Sequence, residues 1–393
     1  MRIALVHSRF DQFGGAERYL TALAAGYVEA GHQVSLFTTT PPPEGTWPAG
    51  APVHLLPTPG PHALWAHPSP AGKVFRHLAD ASPVRPGPAA GVLQKPADVV
   101  HLHNWHHIGA GAVRAIAKQR PVVHTVHDFA LVDPTTTLDS GTWSPAKTAA
   151  LKARAAVVVP QFAGVHLHWP SSRTRELAAT VTGAVRREPA SVVPLSVPAT
   201  NRLRELGPGD PHTFLLLGHL SAHKGVPDAL EAWQAARRRP GARLLIAGDG
   251  PLRDDVRAAA AADDTIEYLG FLDADGARAA LARAGWLLFP STWHENFSIS
   301  CVEALAAGRP ILTSAVANPP MASPGSVVVF DTPARLTWEL EGILRMGREA
   351  YTAAADSARA DGQGMLWDVH VKTMIDLLQQ VALGPSGAGG PAR

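Results

Sequence analysis

Short apolar runs alternate with longer segments of helical periodicity along most of the chain. Residues 2–6 form the first apolar run, which predicts a buried parallel strand. A Gly14-Gly15 loop, a helix at residues 16–30 and a second strand at residues 33–39 follow. Strand, helix and strand in this order are the unit from which parallel sheets are built. The pattern therefore predicts an α/β protein.

The alternation continues in two halves, separated by a polar stretch at residues 199–211 that predicts a linker. In the first half we predict strands at 98–103, 121–127, 157–159 and 164–168, and helices at 108–119 and 171–182. In the second half we predict strands at 214–218, 243–247, 266–269, 285–290 and 310–314, and helices at 225–238, 251–262, 274–284 and 298–307. Residues 41–97 are rich in Pro, Gly and His, which predicts loops with one helix at most.

This organisation predicts two Rossmann-like, doubly wound parallel-sheet domains that face a cleft, at residues 1–200 and 201–384. Ligands of such domains bind at the carboxyl ends of the strands. Residues 346–384 read as helical and can pack back on the N-terminal domain. The Gly- and Pro-rich tail at 385–393 is predicted to be disordered.

Composition narrows the class of protein. A chain of 393 residues with 46% hydrophobic residues can build two buried cores, and a formal net charge of +2 argues against a nucleic-acid-binding protein. The single cysteine, Cys301, cannot form an internal disulfide, so we expect a core residue in a reducing, cytoplasmic protein. The absence of a long apolar run or a signal-peptide pattern predicts peripheral membrane association at most. Frequent Ala, Arg, Pro and Gly suggest a GC-rich bacterial source.

The most informative stretch is residues 293–310, which carries two glutamates, Glu295 and Glu303, with seven residues between them. Glu295 ends the loop after the predicted strand at 285–290. Glu303 lies inside the next helix, which Gly308 closes as a C-terminal glycine does. One carboxylate therefore stands beside the start of a helix, and the other lies more than one turn inside it.

The start of this helix predicts an anion site. The backbone N–H groups of Phe297, Ser298 and Ile299 lack partners within the helix, and such a terminus binds phosphate. Glu303, one turn further in, can accept hydrogen bonds from two hydroxyls, such as those of a ribose. Phosphate and ribose together predict a nucleotide.

Several motifs together resemble the retaining glycosyltransferases of family 4 (glycosyltransferase group 1), which have the two-domain GT-B fold. The resemblance is strong from about residue 214 to 314 and looser before that. In the C-terminal half it rests on Leu217-Gly218-His219-Leu220, Lys224-Gly225, the Gly-Asp-Gly-Pro turn at 248–251, Tyr268-Leu269-Gly270-Phe271-Leu272, Pro290-Ser291 and the two glutamates. In the N-terminal half it rests on Gly14-Gly15-Ala16-Glu17, His101-Leu102-His103 and His124-Thr125-Val126-His127-Asp128.

The resemblance implies transfer of a sugar from a nucleotide diphosphate sugar, UDP- or GDP-linked, to a hydroxyl of a glycan, a lipid-linked glycan or a small metabolite. It implies retained anomeric configuration and no bound metal or other cofactor. The implied catalytic residues are His127 for the sugar, Lys224 for the diphosphate and Glu295 for the sugar or its phosphate. The implied donor-binding residues are Gly14, Gly15, His219, Leu272, Asn296, Phe297, Ser298, Ile299 and Glu303. His103, Trp105 and Asp128 are expected to line the acceptor or sugar side, although Asp128 could instead cap a helix or orient His127.

The sequence departs from the family pattern at three places. His219 stands where the family has an Arg that helps hold the diphosphate. Residues 195–196 replace a common Asn-Gly turn, and residues 317–320 replace a Gly-Gly-x-x-Glu motif. These changes leave open how fully the charge of the leaving group is neutralised.

Other interpretations stay open. A phosphorylase or a nucleotide-sugar epimerase can share this fold, and the missing Arg at position 219 motivates a non-catalytic nucleotide-sugar-binding protein. The histidines at 101, 103, 106 and 107 suggest a metal site, but no carboxylate or cysteine close in sequence completes a ligand set, which favours polar lining. Residues 237–239, three arginines, suit the end of a helix better than a membrane patch. Acceptor choice is assigned to loops 41–97 and 129–150, and the oligomeric state is not determined.

Overall fold

The computed structural model describes residues 1–11, 14–57, 70–83, 87–135, 138, 143–237, 239–317 and 319–384. These residues form two compact units. One contains the chain up to Pro194 together with the segment from Val371 onward, and the other contains Leu195–His370. The tail at 385–393, predicted to be disordered, lies outside the described residues.

The first unit is built on a seven-stranded parallel sheet. Its strands are β1 (Arg2–Val6), β2 (Gln33–Thr38), β3 (Val53–Leu55), β4 (Val99–Leu102), β5 (Val122–Thr125), β6 (His166–Trp169) and β7 (Ala190–Val192). Their order across the sheet is β3-β2-β1-β4-β5-β6-β7. The direction of winding reverses between β1 and β4, and at such a reversal the strand ends leave a crevice for ligands.

The helices of this unit differ from the prediction in two places. They are α1 (Gly15–Glu29), α2 (Pro70–Ala81), α3 (Gly87–Leu93), α4 (Ala110–Ala117), α5 (Pro145–Val158) and α6 (Ser172–Val181). The strand predicted at 157–159 is wrong, because Ser144 caps α5 and that helix runs through this valine-rich stretch into a 3-10 turn at Val159–Phe162. Residues 41–97 contain a strand and two helices, more than the single helix predicted.

The second unit contains a six-stranded parallel sheet. Its strands are β8 (Asp210–Leu217), β9 (Arg243–Ala247), β10 (Ile266–Gly270), β11 (Ala284–Phe289), β12 (Ile311–Ser314) and β13 (Val327–Phe330). The order across the sheet is β10-β9-β8-β11-β12-β13, so β8 and β11 are neighbours at the reversal of winding. The loops that follow these two strands therefore lie side by side at one edge of the sheet.

Eight helices of the described chain follow the first unit's sheet. They are α7 (Ala199–Leu203), α8 (Val226–Ala235), α9 (Arg253–Ala262), α10 (Ala274–Arg283), α11 (Ile299–Ala306), α12 (Pro333–Leu344), α13 (Arg348–Gln363) and α14 (Trp367–Leu383). The predicted linker at 199–211 begins with α7, whose Leu203 is buried, so its first residues pack rather than connect. The prediction missed β13 and α12 and correctly placed helices over the last segment.

The apolar runs of the second sheet are explained by burial on both of its faces. Phe214 and Leu216 belong to one hydrophobic cluster, whereas Leu215 between them belongs to a second. Side chains alternate across a strand, so a strand covered on both faces must be apolar at consecutive positions. The first sheet has a core of its own, which includes Val100 and Leu102 of β4.

Candidate functional site

In the second unit, Glu295 lies in the loop between β11 and α11, and three donors hold one of its oxygens. Oε1 accepts from Lys224 Nζ at 2.6 Å, Ser291 Oγ at 2.7 Å and Trp293 Nε1 at 2.8 Å. The side chains of Lys224 and Glu295 are 26% and 11% exposed, so their ion pair is partly shielded from water. The structure therefore brings together two of the three residues predicted to be catalytic.

The fold places Lys224 through a close approach of two loops. Lys224 ends a 3-10 turn, and Gly225 follows with φ +72°. A Cβ at Gly225 would stand 2.0 Å from the carbonyl oxygen of Pro290, at the end of β11. Glycine is required by this contact as well as by the backbone conformation. The neighbouring order of β8 and β11 is what brings Lys224 to Glu295.

Helix α11 begins at Ile299, with Ser298 as its cap. The Ser298 Oγ accepts from the Cys301 backbone N–H at 3.3 Å, so the helix terminus is partly satisfied by its own serine. Glu303 follows on the second turn and is half-buried. Gly308 has φ +67°, which confirms its place after the end of the helix.

The other predicted donor-site residues divide into packed and exposed ones. Phe297 and Leu272 pack against the hydrophobic cluster beside α11, and Asn296 and Ile299 are half-buried. His219 is exposed, and its ring centroid lies 6.4 Å from that of His223. The ring of His223 lies 4.0 Å from that of Trp293. Ser291, Trp293 and His223 had no predicted role, although all three are close in sequence to Lys224 or Glu295.

In the first unit, the Gly14-Gly15-Ala16-Glu17 motif at the start of α1 contains a carboxylate for which no role was predicted. Glu17 Oε2 accepts from the Gly14 N–H at 2.8 Å, and Glu17 Oε1 contacts His7 Nε2 at 3.0 Å. Burial raises the pKa of Glu17, but the contacts with His7 and Gly14 outweigh it and leave the pKa below its usual value. The Gly14 N–H is therefore bonded within its own loop. Donor binding by Gly14 and Gly15 stays a prediction.

Two residues predicted to line the sugar site are buried instead. His103 and Trp105 are each 1% exposed, and Trp105 belongs to the hydrophobic core of the first unit. Trp105 cannot stack on a sugar in this position, because its ring is covered by Phe162 and His106. Trp105 is buried because its ring packs with apolar residues of this core, although its neighbours in the sequence are polar. Both sugar-lining predictions are wrong for this structure.

His103 instead contacts His127, the third predicted catalytic residue. His103 Nδ1 and His127 Nε2 are 2.9 Å apart, and His127 is half-buried after the end of β5. Burial lowers the pKa of both imidazoles well below the usual range, so one ring donates and the other accepts. Asp128 Oδ1 accepts from the Ala130 N–H at 2.8 Å in the turn that follows, where no helix begins. Burial raises the pKa of Asp128.

Two features remain that could have had a chemical role, the Cys301 thiol and the histidines that suggested a metal site. Burial raises the pKa of Cys301 to about 12, which confirms the interpretation of a core residue rather than a nucleophile. Asp80, which belongs to none of the motifs named above, lies 3.3 Å from His106 Nδ1. The described residues contain no cluster of three or more His, Cys, Asp or Glu arranged to hold a metal ion.

No helix in the described part of the chain is long and apolar enough to cross a membrane.

Two family models match this chain, and both describe glycosyltransferases. Residues 14–218 match the family described as "Glycosyl transferase 4-like domain", and residues 211–345 match "Glycosyl transferases group 1". The first match alone covers more than half of the chain. The chain belongs to the family 4 glycosyltransferases. The chain of this glycosyltransferase is 26% identical to the glycogen synthase of Mycobacterium tuberculosis, over 98% of its own length and 94% of the relative's.

Solved structures show the same fold. Anabaena HepE in complex with UDP has a TM-score of 0.68 and 16% identity, covering 96% of this chain and 100% of that one. Sucrose-phosphate synthase from Thermosynechococcus elongatus has a TM-score of 0.69 and 17% identity, covering 97% of this chain and 98% of that one. The two parallel sheets and these neighbours establish the GT-B fold of this glycosyltransferase.

Proposed function

We propose that this glycosyltransferase moves a sugar from a UDP- or GDP-linked donor to an acceptor hydroxyl and retains the anomeric configuration. The observation that carries the proposal is the ion pair of Lys224 with Glu295 beside the start of α11, where parallel-sheet proteins bind ligands. HepE, a structural neighbour, has been solved with UDP and with UDP-glucose, which supports a nucleotide sugar as the donor.

In this proposal the enzyme acts mainly by electrostatic stabilisation. As the bond to the sugar breaks, negative charge grows on the diphosphate, and Lys224 with the first N–H groups of α11 would stabilise it. Glu303 would bind the ribose hydroxyls, Glu295 the sugar, and His127 would orient the sugar. The departing phosphate oxygen would take the proton of the acceptor. Since these groups supply the needed charge, we propose that no bound metal is required.

A thermal-shift panel with UDP, GDP, TDP and ADP tests the donor site. We expect one nucleotide at 100 times its Kd to stabilise the protein by about 2.7 kcal/mol, or roughly 5–10 °C in Tm. The shift should disappear in Glu303→Ala and persist in Glu349→Ala, a change of an exposed glutamate on α13. If no nucleotide shifts the wild type, the proposed donor class is wrong.

Product analysis tests the chemistry. With the nucleotide identified, we expect sugar transfer to an acceptor such as a glucan primer, which the resemblance to a glycogen synthase makes the first to try. The anomeric configuration of the product, read by proton NMR, should equal that of the donor. An inverted product would refute retention. Epimerised donor, phosphorolysis, or binding without turnover on any acceptor would favour one of the alternatives named above.

A further inference from the structure

The two oxygens of the Glu295 carboxylate have different surroundings. Oε1 accepts from Lys224, Ser291 and Trp293, at 2.6 to 2.8 Å. Oε2 receives no hydrogen bond from the described residues, although a carboxylate oxygen has two lone pairs to offer. Three donors on one oxygen restrain the rotation of the carboxylate. One oxygen is therefore held, and the other is open to a ligand.

We propose that Ser291 and Trp293 are positioning residues that, with Lys224, hold Glu295 so that its Oε2 accepts a hydrogen bond from a hydroxyl of the donor sugar. The inference rests on the proposed function, because it assigns the sugar of the nucleotide donor to this carboxylate. Neither residue would touch the donor. Each would act through the orientation of Glu295.

Both donors are themselves fixed by the fold. Ser291 is fully buried, and its carbonyl oxygen accepts from the Ser314 Oγ at 2.5 Å. Its own Oγ also lies 3.1 Å from the carbonyl oxygen of His223, which limits its rotation. The ring of Trp293 lies 4.0 Å from the ring of His223, and the Lys224 ammonium lies 5.5 Å from the Trp293 centroid. A donor that cannot move holds its acceptor in one orientation.

Conservative variants separate positioning from general damage. Ser291→Ala removes one donor to Glu295, and Trp293→Phe removes the other while keeping an aromatic ring beside His223. Thr292→Val is the matched control, since the Thr292 side chain lies between them in sequence and contacts the His223 carbonyl oxygen at 3.2 Å. Ser291→Thr keeps the hydroxyl and should restore the wild-type behaviour.

Calorimetric titration with UDP and UDP-glucose, or with the GDP pair if the wild type binds GDP, gives the decisive readout. We expect Ser291→Ala and Trp293→Phe to bind the free nucleotide within about 2-fold of the wild type and to lose about 10-fold in affinity for the nucleotide sugar, the loss of one hydrogen bond to a charged group. A fall in kcat should accompany it.

Each of the other possible results refutes one part of the proposal. Equal losses for nucleotide and nucleotide sugar, or losses no larger than in Thr292→Val, would show that Ser291 and Trp293 do not position Glu295. A wild type that binds no nucleotide refutes the proposed function itself, and this failure is seen before any variant is made.

Discussion

Acidification should unfold the first unit of this protein before the second. Three buried histidines of the first unit, His107, His124 and His168, each have a pKa lowered to about 4, mainly by burial. His168 Nε2 donates to the Val193 carbonyl oxygen at 2.8 Å, and His124 Nδ1 donates to the Leu102 carbonyl oxygen at 3.1 Å. These rings are held as neutral imidazoles, so a proton on them costs free energy in the folded state.

The magnitude follows from the difference between the folded and unfolded pKa of each ring. In the unfolded chain a histidine has a pKa of about 6.5, so the unfolded state binds more protons as the pH falls below that value. The stabilisation is fully present above about pH 6.5 and is lost as the pH falls toward 4. At pH 5 each ring costs about 2 kcal/mol, and three rings cost about 6 kcal/mol. Since domains have total stabilities of about 5–15 kcal/mol, this loss is large enough to unfold the unit.

Hydrogen exchange read by mass spectrometry at pH 8, 6.5 and 5 locates the effect. Protection factors of the amides in β5 and β6 should fall by several orders of magnitude at pH 5, while those in β8 and β9 should change little. His168→Gln keeps a donor for the Val193 carbonyl oxygen and removes one titrating ring, so its protection should fall less steeply with pH. Protection in β5 and β6 that stays constant from pH 8 to 5 would refute the reasoning, because it would mean that the rings take up protons without leaving the folded state.

Three further predictions concern the candidate donor site. Gly225→Ala should destabilise the second unit by about 2–4 kcal/mol, because the left-handed backbone and the contact with Pro290 both oppose a Cβ at this position. A variant whose Tm equals that of the wild type would contradict this prediction. Lys224→Met should lower kcat by about 100-fold with the fold intact, since it removes the charge that stabilises the leaving group in the proposed mechanism. A loss below about 5-fold would mean that Lys224 serves only as the partner of Glu295. Cys301 should resist a thiol reagent in the folded protein and react only on unfolding, so fast labelling of the native chain would show that its helix opens.

Much of the fold and part of the site follow from local pattern. Apolar runs of strand length separated by helical segments predicted most strands of both parallel sheets, because burial on both faces demands consecutive apolar residues. The helix that carries Glu303 and its closing Gly308 were also predicted, since a C-terminal glycine acts over a few residues. The predictions were wrong where the local pattern does not decide the structure. Residues 157–159 are an example, because the helix that begins at Pro145 continues into these valines.

The sequence by itself determined the class of fold and the chemical groups present at the candidate donor site. Only the tertiary structure decided which of these groups meet. Lys224 and Glu295 are 71 residues apart, and their contact depends on β8 and β11 being neighbours in the sheet. Long-range packing also buried His103, which was predicted to line the sugar site, and placed its ring in contact with His127. Periodicity and capping act within one element, whereas the partners of a side chain at a strand end depend on the order of strands, which no single element encodes.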